Sequence, residues 1–177
     1  KMESLVGEDE KLDELFDGRI RIIQKKAGYR FSLDAVLLAH FAARIPAASV
    51  IDLGTGSGIV PLILARKSAS AKITGVEVQP GLADMARRTI ELNGLSGRVA
   101  IARGDIRELA AVFPSASFDL VVSNPPYYPL DNGRINPHQE KAIARHEIKA
   151  TVEDVIRVAQ YLAADSGSVL IIFPAKR

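Results

Sequence analysis

Asn124, Pro125, Pro126 and Tyr127 form the run whose residue types read most directly as chemistry. Two consecutive prolines hold the backbone extended and rigid, and they leave the Pro125 carbonyl outside any strand ladder. The asparagine amide oxygen and that carbonyl are two neutral acceptors in a fixed arrangement. A planar amino group, such as that of adenine or of a glutamine amide, offers two N–H donors and a lone pair delocalised into its π system. Accepting both hydrogens lets the nitrogen turn tetrahedral and frees the lone pair to attack an electrophilic carbon. No strong base is needed beforehand, because the proton becomes acidic only as the new bond forms. Tyr127 adds a flat face on which a base can stack, worth about 1–3 kcal/mol by analogy with single-strand binders, and an extruded base would be held this way outside its helix. The plain alternative is a turn, since Asn-Pro is a turn signal. The run's position behind a buried apolar strand, three strands after a glycine loop, argues against it.

That loop is the second constellation: Asp52-Leu53-Gly54-Thr55-Gly56-Ser57-Gly58. Glycines between a strand and a helix let the backbone turn sharply and approach a ligand closely. The spacing is G-x-G-x-G, not the dinucleotide spacing G-x-G-x-x-G. Glu77 ends the next strand, where a carboxylate can accept hydrogen bonds from both hydroxyls of a ribose; dinucleotide binding asks for an acid at the same place. A structural turn with an exposed glutamate is the bland reading. Asp105, after Gly104, stands at a further strand end, where an aspartate often serves only as a helix cap.

Basic residues gather in two places. Arg19, Arg21, Lys25, Lys26 and Arg30 lie close in sequence with no acid among them, which fits either a solvated strand face or a phosphate-contacting one. Residues 129–149 carry Arg134, His138, Lys141, Arg145, His146 and Lys149 with little apolar periodicity. A long irregular connection directly after the Asn-Pro-Pro-Tyr run reads as a lid or contact loop, or as a solvated one. The three histidines, with His40 on a helix face, show no metal-ligand spacing.

The elements that must position these residues follow from periodicity. The first dozen residues are polar and read as mobile. Arg19 to Ile22 alternates like a half-buried strand, with Gly28 to Phe31 as its expected hairpin partner. Ser32 reads as an N-cap and Asp34 as a first-turn acid, before a helix whose apolar face is Ala35, Leu37, Leu38, Phe41 and Ala42; Pro46 ends it. Val50 to Leu53, Lys72 to Val78, Val99 to Ala102, Phe118 to Val122 and Ser168 to Phe173 read as strands. Helices are expected at Ile59 to Lys67, with Pro61 tolerated in its first turn, and at Leu82 to Leu92, stopped by Asn93-Gly94. Thr151 and Asp154 suggest a capping box for a helix carrying Val152, Val155, Ile156, Ala159 and Leu162. Apolar strands alternating with helices predict an α/β fold with a mostly parallel sheet covered on both faces. Residues 1–48 then form an N-terminal extension of hairpin and helix packed on a core of residues 49–177.

The 177 residues fit one domain, with 47% hydrophobic and 25% charged residues, as in ordinary globular proteins. Cysteine is absent, which excludes disulfides, thiolate metal sites and a cysteine nucleophile and suits a reducing cytoplasm. A net charge of +2 is too small to argue for nucleic acid alone, and no apolar run reaches the length of a membrane span.

Val50 to Ala65 resembles the first motif of the class I, Rossmann-like S-adenosylmethionine methyltransferases, and Val76-Glu77-Val78 resembles their second. Gly104-Asp105 resembles the segment whose acid meets the adenine amine of the cofactor. The resemblance implies S-adenosylmethionine as cofactor: Gly54, Gly56 and Gly58 line its methionine end, Glu77 holds the ribose, Asp105 orients the adenine ring, and Asp52 stands near the ammonium or orders the loop. In that frame Asn124 to Tyr127 resembles the motif of amino methyltransferases acting on adenine, cytosine or protein glutamine. It implies that Asn124 and Pro125 position the amine and Tyr127 stacks on the target. The motif names a reaction type, not a substrate.

A longer resemblance runs from about Leu15 to Pro174. Leu15-Phe16-Asp17-Gly18, Ile23-Gln24 and Gly28-Tyr29-Arg30-Phe31-Ser32-Leu33-Asp34-Ala35, taken with the Asn-Pro-Pro-Tyr run, are similar to the bacterial tRNA (adenine-N6)-methyltransferases that modify the anticodon loop of a valine tRNA. This implies N6-methylation of adenine in tRNA, with Lys25, Lys26, Arg30, Arg134 and Arg145 meeting the RNA; Arg145-His146-Glu147 resembles a family segment near the site. Two alternatives stand beside it. One is N5-methylation of a protein glutamine, as in release-factor modifiers, which usually carry a helical substrate domain for which this chain has no room. The other is a non-catalytic nucleotide- or RNA-binding module, against which the intact Gly54, Gly56, Gly58, Glu77 and Asn124 argue. The family sheet has seven strands, so the expectation is that C-terminal strands lie outside this chain. Val169 to Phe173 would then be a long apolar edge prone to self-association.

Overall fold

The computed structural model describes residues 5–125 and 150–173. Five parallel strands make the main sheet in the order β5-β4-β3-β6-β7. β3 (Ser49–Leu53) is central, β4 (Lys72–Glu77) and β5 (Val99–Arg103) extend one way, and β6 (Phe118–Ser123) and β7 (Ala163–Ile171) the other. The chain therefore reverses its direction of winding next to β3. Such a switch point opens a crevice at the carboxyl ends of the strands. The α/β class and the parallel sheet follow the expectation.

Period-2 alternation divides the core. Val50, Ile73, Val99, Leu120 and Val122 pack in one cluster with the helices α1 (Leu33–Ala42), α2 (Ile59–Lys67) and α3 (Pro80–Leu92). Ile51, Leu53, Val76 and Val121 point the other way, onto a short 3₁₀ helix (Ile106–Ala111) and α4 (Val152–Leu162). α2 is buried at every position from Ile59 to Ala65, so it reads as a continuous apolar run. α3 buries Leu82, Met85, Ala86, Thr89 and Ile90 at helical spacing. α4 carries the expected capping box: Thr151 Oγ1 accepts from Asp154 N at 3.1 Å, and Asp154 Oδ2 accepts from Thr151 N at 2.9 Å.

Two expected helix faces are corrected. α1 buries Ala35, Leu38, Ala39 and Ala42, while Leu37 and Phe41 face outward with Leu33. The small alanines let α1 lie close on α2, and the large residues are left on the far side. In α4, Val155, Val158, Ala159 and Leu162 are buried, whereas Val152 and Ile156 are exposed. β7 starts at Ala163, five residues before the expected Ser168, with a register break between Phe118 and Leu120. Gly167 permits the break, since a Cβ there would lie 2.9 Å from the Ala164 carbonyl oxygen.

The N-terminal hairpin also differs. β2 (Ile20–Lys25) pairs antiparallel with β1 (Glu10–Leu15), through a turn at Phe16, Asp17 and Gly18, all with positive φ. Gly28 to Phe31 is not its partner. β1 is polar enough to read as a mobile tail, yet Glu10 is 4% exposed. Arg88 of α3 holds it in a two-pronged ion pair, with Nη1 to Oε2 at 2.7 Å and Nη2 to Oε1 at 2.9 Å. The other edge of β2 docks on α3 through side chains. Asn93 Oδ1 accepts from Arg21 N at 3.1 Å, its Nδ2 donates to the Arg21 carbonyl at 2.6 Å, and Thr89 Oγ1 accepts from Ile23 N at 3.2 Å. These bonds satisfy ladder groups that an open strand edge would leave free.

Candidate active site

The register Leu53↔Ser123 sets the ends of β3 and β6 at one level. Gly54 and Asn124 therefore leave neighbouring strands side by side, at a strand spacing of about 4.8 Å. Ser123 Oγ donates to the Leu53 carbonyl at 2.8 Å and ties the two ends together. Glu77 ends β4 on the other side of β3. The glycine loop, the ribose-type acid and the asparagine thus meet at the carboxyl edge, where the sequence reading puts them.

Gly54, Gly56 and Gly58 all have positive φ, at 77°, 58° and 83°, and each serves a different need. A Cβ at Gly54 would meet nothing within 4 Å, so the chain approaches open space there. One at Gly58 would lie 3.2 Å from the Ala86 Cβ, so this glycine lets α2 start tight against α3. One at Gly56 would collide with the Tyr29 phenol, lying 2.7 Å from Cζ. The sequence reading assigns all three to a ligand; in this structure Gly54 borders open space, while Gly56 and Gly58 also make room for Tyr29 and Ala86.

Asp52 is 1% exposed, and its Oδ2 has no hydrogen-bond partner among the described residues; nor have the hydroxyls of Thr55 and Ser57. Burial pushes the Asp52 carboxyl up to about 7; the nearby Thr55 hydroxyl, too far or too poorly aimed for a full hydrogen bond, pulls it back, and the Glu77 charge adds to the rise. Buried polar groups are normally paired, so a carboxylate with one unpartnered oxygen on a ligand-type loop calls for a cationic or hydrogen-bonding guest. Glu77 is also raised by burial, against the backbone amides of Gln79, Gly56 and Val78. Its oxygens accept from Gly56 N and Gln79 N, both at 2.9 Å. Each oxygen retains a second acceptor direction, so Glu77 is held in place and can still receive two hydroxyls. S-Adenosylmethionine carries an ammonium, a sulfonium and a ribose diol. The residues fit it: an unpaired carboxylate, an open glycine and an oriented glutamate stand on one edge.

Asn124 is half-buried and Pro125 buried. The Asn124 Nδ2 approaches Ser32 Oγ at 3.4 Å, donating weakly. Ser32 has the extended backbone of an N-cap, but its side chain does not cap α1; it faces the asparagine instead. A hydroxyl on the Nδ2 side favours the amide orientation that leaves Oδ1 as the acceptor for an amine. Tyr127, Arg134 and Arg145 lie outside the described residues, as do His138, Lys141, His146 and Lys149.

Asp105 accepts from Arg107 N at 2.9 Å as the cap of the 3₁₀ helix and pairs with the Arg107 guanidinium. That guanidinium hydrogen bond, first, holds its carboxyl below the usual range. Part of the hairpin's basic cluster faces acids in and just before β1. Lys25 Nζ lies 2.7 Å from Asp9 and 3.5 Å from Glu10, and Arg30 lies 3.2 Å from Asp13, while Lys26 donates to the Glu8 carbonyl at 2.8 Å. Counting charge between Arg19 and Arg30 alone missed this, because the neutralising strand lies earlier in the chain. Tyr29 had no role in the sequence reading, and Ser32 was read only as the N-cap of α1, a bond its side chain does not make. Their signal was their place between a positive-φ glycine and a helix start that needed no cap from Ser32. Among the described residues no group of histidine, aspartate and glutamate side chains could hold a metal ion, and no helix is long and apolar enough to cross a membrane.

The fold recurs in solved structures. A putative S-adenosyl-L-methionine-dependent methyltransferase from Methanococcus maripaludis aligns with a TM-score of 0.58 at 18% identity, covering 78% of this chain and 54% of that one. TrmN from Thermus thermophilus aligns with a TM-score of 0.57 at 26% identity, covering 80% of this chain and 38% of that one. Among curated proteins, a tRNA1(Val) (adenine(37)-N6)-methyltransferase from Porphyromonas gingivalis is 34% identical over 165 residues, which are 90% of this chain and 64% of that protein. One of the same name from Pedobacter heparinus is 33% identical over 160 residues, 90% of this chain and 66% of that protein. The chain thus spans about two thirds of the length of these relatives. The methyltransferase small domain matches residues 33–174, from the start of α1 past the end of β7, and takes in the glycine loop, Glu77 and Asn124. The chain belongs to the methyltransferase small domain family.

Proposed function

We propose that the protein transfers a methyl group from S-adenosylmethionine to N6 of an adenine in tRNA. The observation that carries this reading is the side-by-side exit of Gly54 and Asn124 from β3 and β6. It sets a loop with an unpaired carboxylate next to a pair of amine acceptors. Asp52 and the open edge at Gly54 hold the cationic methionine end of the cofactor, Glu77 the ribose, and Asp105 the adenine. The cofactor supplies an electrophilic methyl group on sulfonium. Asn124 Oδ1 and the Pro125 carbonyl accept the two hydrogens of the target amine and direct its lone pair, while Ser32 keeps the Asn124 amide from turning over. Tyr127 stacks on the base.

The names of the relatives support tRNA as substrate and adenine as target. Contacts to phosphate fall to Lys25, Lys26, Arg30, Arg134 and Arg145. The first three already face β1 acids or carbonyls, so the hairpin adds less positive field than its sequence alone implies. Residues 1–48 act as an extension docked on the core, and the reaction takes place in the cytoplasm. In the test, the protein is incubated with isotope-labelled S-adenosylmethionine and unmodified bulk tRNA, and the digested RNA is analysed by mass spectrometry. Labelled N6-methyladenosine is expected. Label in a protein glutamine, with none in RNA, would replace this reading by the release-factor-type reaction.

A further inference from the structure

Tyr29 enters the site from the segment between β2 and α1, and neither the glycine loop nor the Asn-Pro-Pro run accounts for it. Its ring rests on Gly56 so closely that a Cβ there would lie 2.7 Å from Cζ and 3.0 Å from Cε1. The residue is 44% exposed, but its hydroxyl end lies against Gly56 and is desolvated there. Burial first, then the charges of Glu77 and Asp52, raise the phenol well above the ordinary tyrosine range. The hydroxyl thus lies within electrostatic reach of both carboxylates. Those carboxylates are sealed: Asp52 is 1% and Glu77 5% exposed. The edge at Gly54 is open, but on the Gly56 side of the loop the ring fills the space through which a ligand would reach them.

The neighbouring backbone suits a swinging side chain. Gly28 has φ 112°, and a Cβ on it would meet nothing within 4 Å, so its dihedrals are unhindered. The chain beyond is anchored, with Phe31 N donating to Gln24 Oε1 at 3.2 Å and Arg30 paired with Asp13.

We propose that Tyr29 is a gate residue of the cofactor pocket: its ring, seated on Gly56, closes the approach to Asp52 and Glu77, and the cofactor enters only when the ring swings off the loop. This rests on the methyltransferase reading. A site that is competent for only part of the time shows an affinity reduced by that fraction. With the ring seated about nine-tenths of the time, removing it tightens binding about tenfold.

The test titrates S-adenosylhomocysteine into the wild-type protein, Tyr29→Phe and Tyr29→Ala by calorimetry, with association rates from stopped flow. Tyr29→Phe keeps the ring and is expected to stay within about twofold of wild type, whereas Tyr29→Ala binds about tenfold tighter and associates faster. Tyr29→Leu gives the same ordering if truncation to alanine unfolds the segment. The chain has no tryptophan and four tyrosines, so tyrosine emission reports directly. The emission change on binding is larger in wild type than in Tyr29→Phe, because the released ring leaves two carboxylates. Weaker binding by Tyr29→Ala would make the ring a wall of the occupied pocket and overturn the gate, as would unchanged affinity and rate. Absence of binding by every form would sink the methyltransferase reading and the gate with it; binding by wild type with no gain in Tyr29→Ala sinks the gate alone.

Discussion

Replacing Asp52 by Asn should stabilise the ligand-free protein and remove its hold on the cofactor, and pH separates the two effects. The carboxyl is fully buried, has one oxygen without a partner, and is raised from 3.8 to about 7 with burial as the main cause. A carboxyl raised on folding holds its proton longer in the folded state. The folded protein therefore loses stability as pH climbs from about 4 to about 7, and the full cost is present above 7. Linkage over that interval is at most about 4 kcal/mol. An amide of the same shape keeps a polar group in the site, so Asp52→Asn recovers about 2 kcal/mol of it. For a domain of this size that is a rise in Tm of about 4–8 °C at pH 8, falling toward zero at pH 5, where the wild-type carboxyl is already protonated. Scanning calorimetry at the two pH values reads the difference. The cofactor cation favours the ionised carboxyl, so wild-type affinity for S-adenosylmethionine should be about tenfold weaker at pH 6 than at pH 8. In Asp52→Asn it should be weak at both. A substitution that destabilises at pH 8, or shifts Tm equally at both pH values, would refute the buried-charge account of this loop.

Glu10→Ala removes one of the two acids on Arg88, which keeps Asp84 at 2.8 Å, so it is expected to cost about 2 kcal/mol, the size of a charge-assisted hydrogen bond, read by urea unfolding at pH 7. The Arg88 hydrogen bond holds the Glu10 carboxyl at about 2, so its contribution is present above the ordinary glutamate value and disappears as pH falls toward 2. Gly58→Ala should cost about 2 kcal/mol or more, because a positive φ of 83° and the Ala86 contact at 3.2 Å add. Gly94→Ala, with a positive φ but nothing within 4 Å, should cost about 1 kcal/mol, and equal losses at the two sites would contradict the close-packing reading of Gly58. Ser32→Ala is expected to lower kcat about three- to tenfold with KM for S-adenosylmethionine unchanged, and Ser32→Thr to restore it; an effect of one hydrogen bond is of this size. A change in KM alone would show that Ser32 serves the cofactor side instead.

The sheet and its carboxyl edge were legible because their signals are local. β3, β4 and β6 are apolar runs between helices, Pro61 and Asn93-Gly94 punctuate α2 and α3, and Asp52, Glu77 and Asn124 each sit one residue or less from a strand end. What failed depended on partners distant in sequence. β1 looks like a solvated tail until Arg88, 78 positions away from Glu10, supplies the charge that buries it. The outward stripe of Leu33, Leu37 and Phe41 looks like a core face until the small alanines on the opposite side prove able to bring α1 closer to α2. The basic run from Arg19 to Arg30 looks unopposed until Asp9, Glu10 and Asp13 are folded beside it. Nothing in the spacing of the glycine loop shows that Tyr29, from another part of the chain, rests on Gly56.

These failures share a physical cause that also bears on the site. The N-terminal segment buries Ile20, Ile22 and Ile23 of β2 in the core, but the register in which it does so is set by polar pairing to α3: Glu10 on Arg88, Arg21 on Asn93 and Ile23 on Thr89. Such pairs have strict geometry and little periodicity, so they leave no pattern to read, yet they fix position better than grease does. The same segment delivers Tyr29 to the glycine loop and Ser32 to Asn124. The core, by contrast, leaves Asp52, Thr55 and Ser57 with unpartnered polar atoms in its least exposed region, a cost that packing alone would remove by substituting apolar residues. A fold that meets its polar accounting at the hairpin and violates it at the loop has its exceptions where a ligand is to be met.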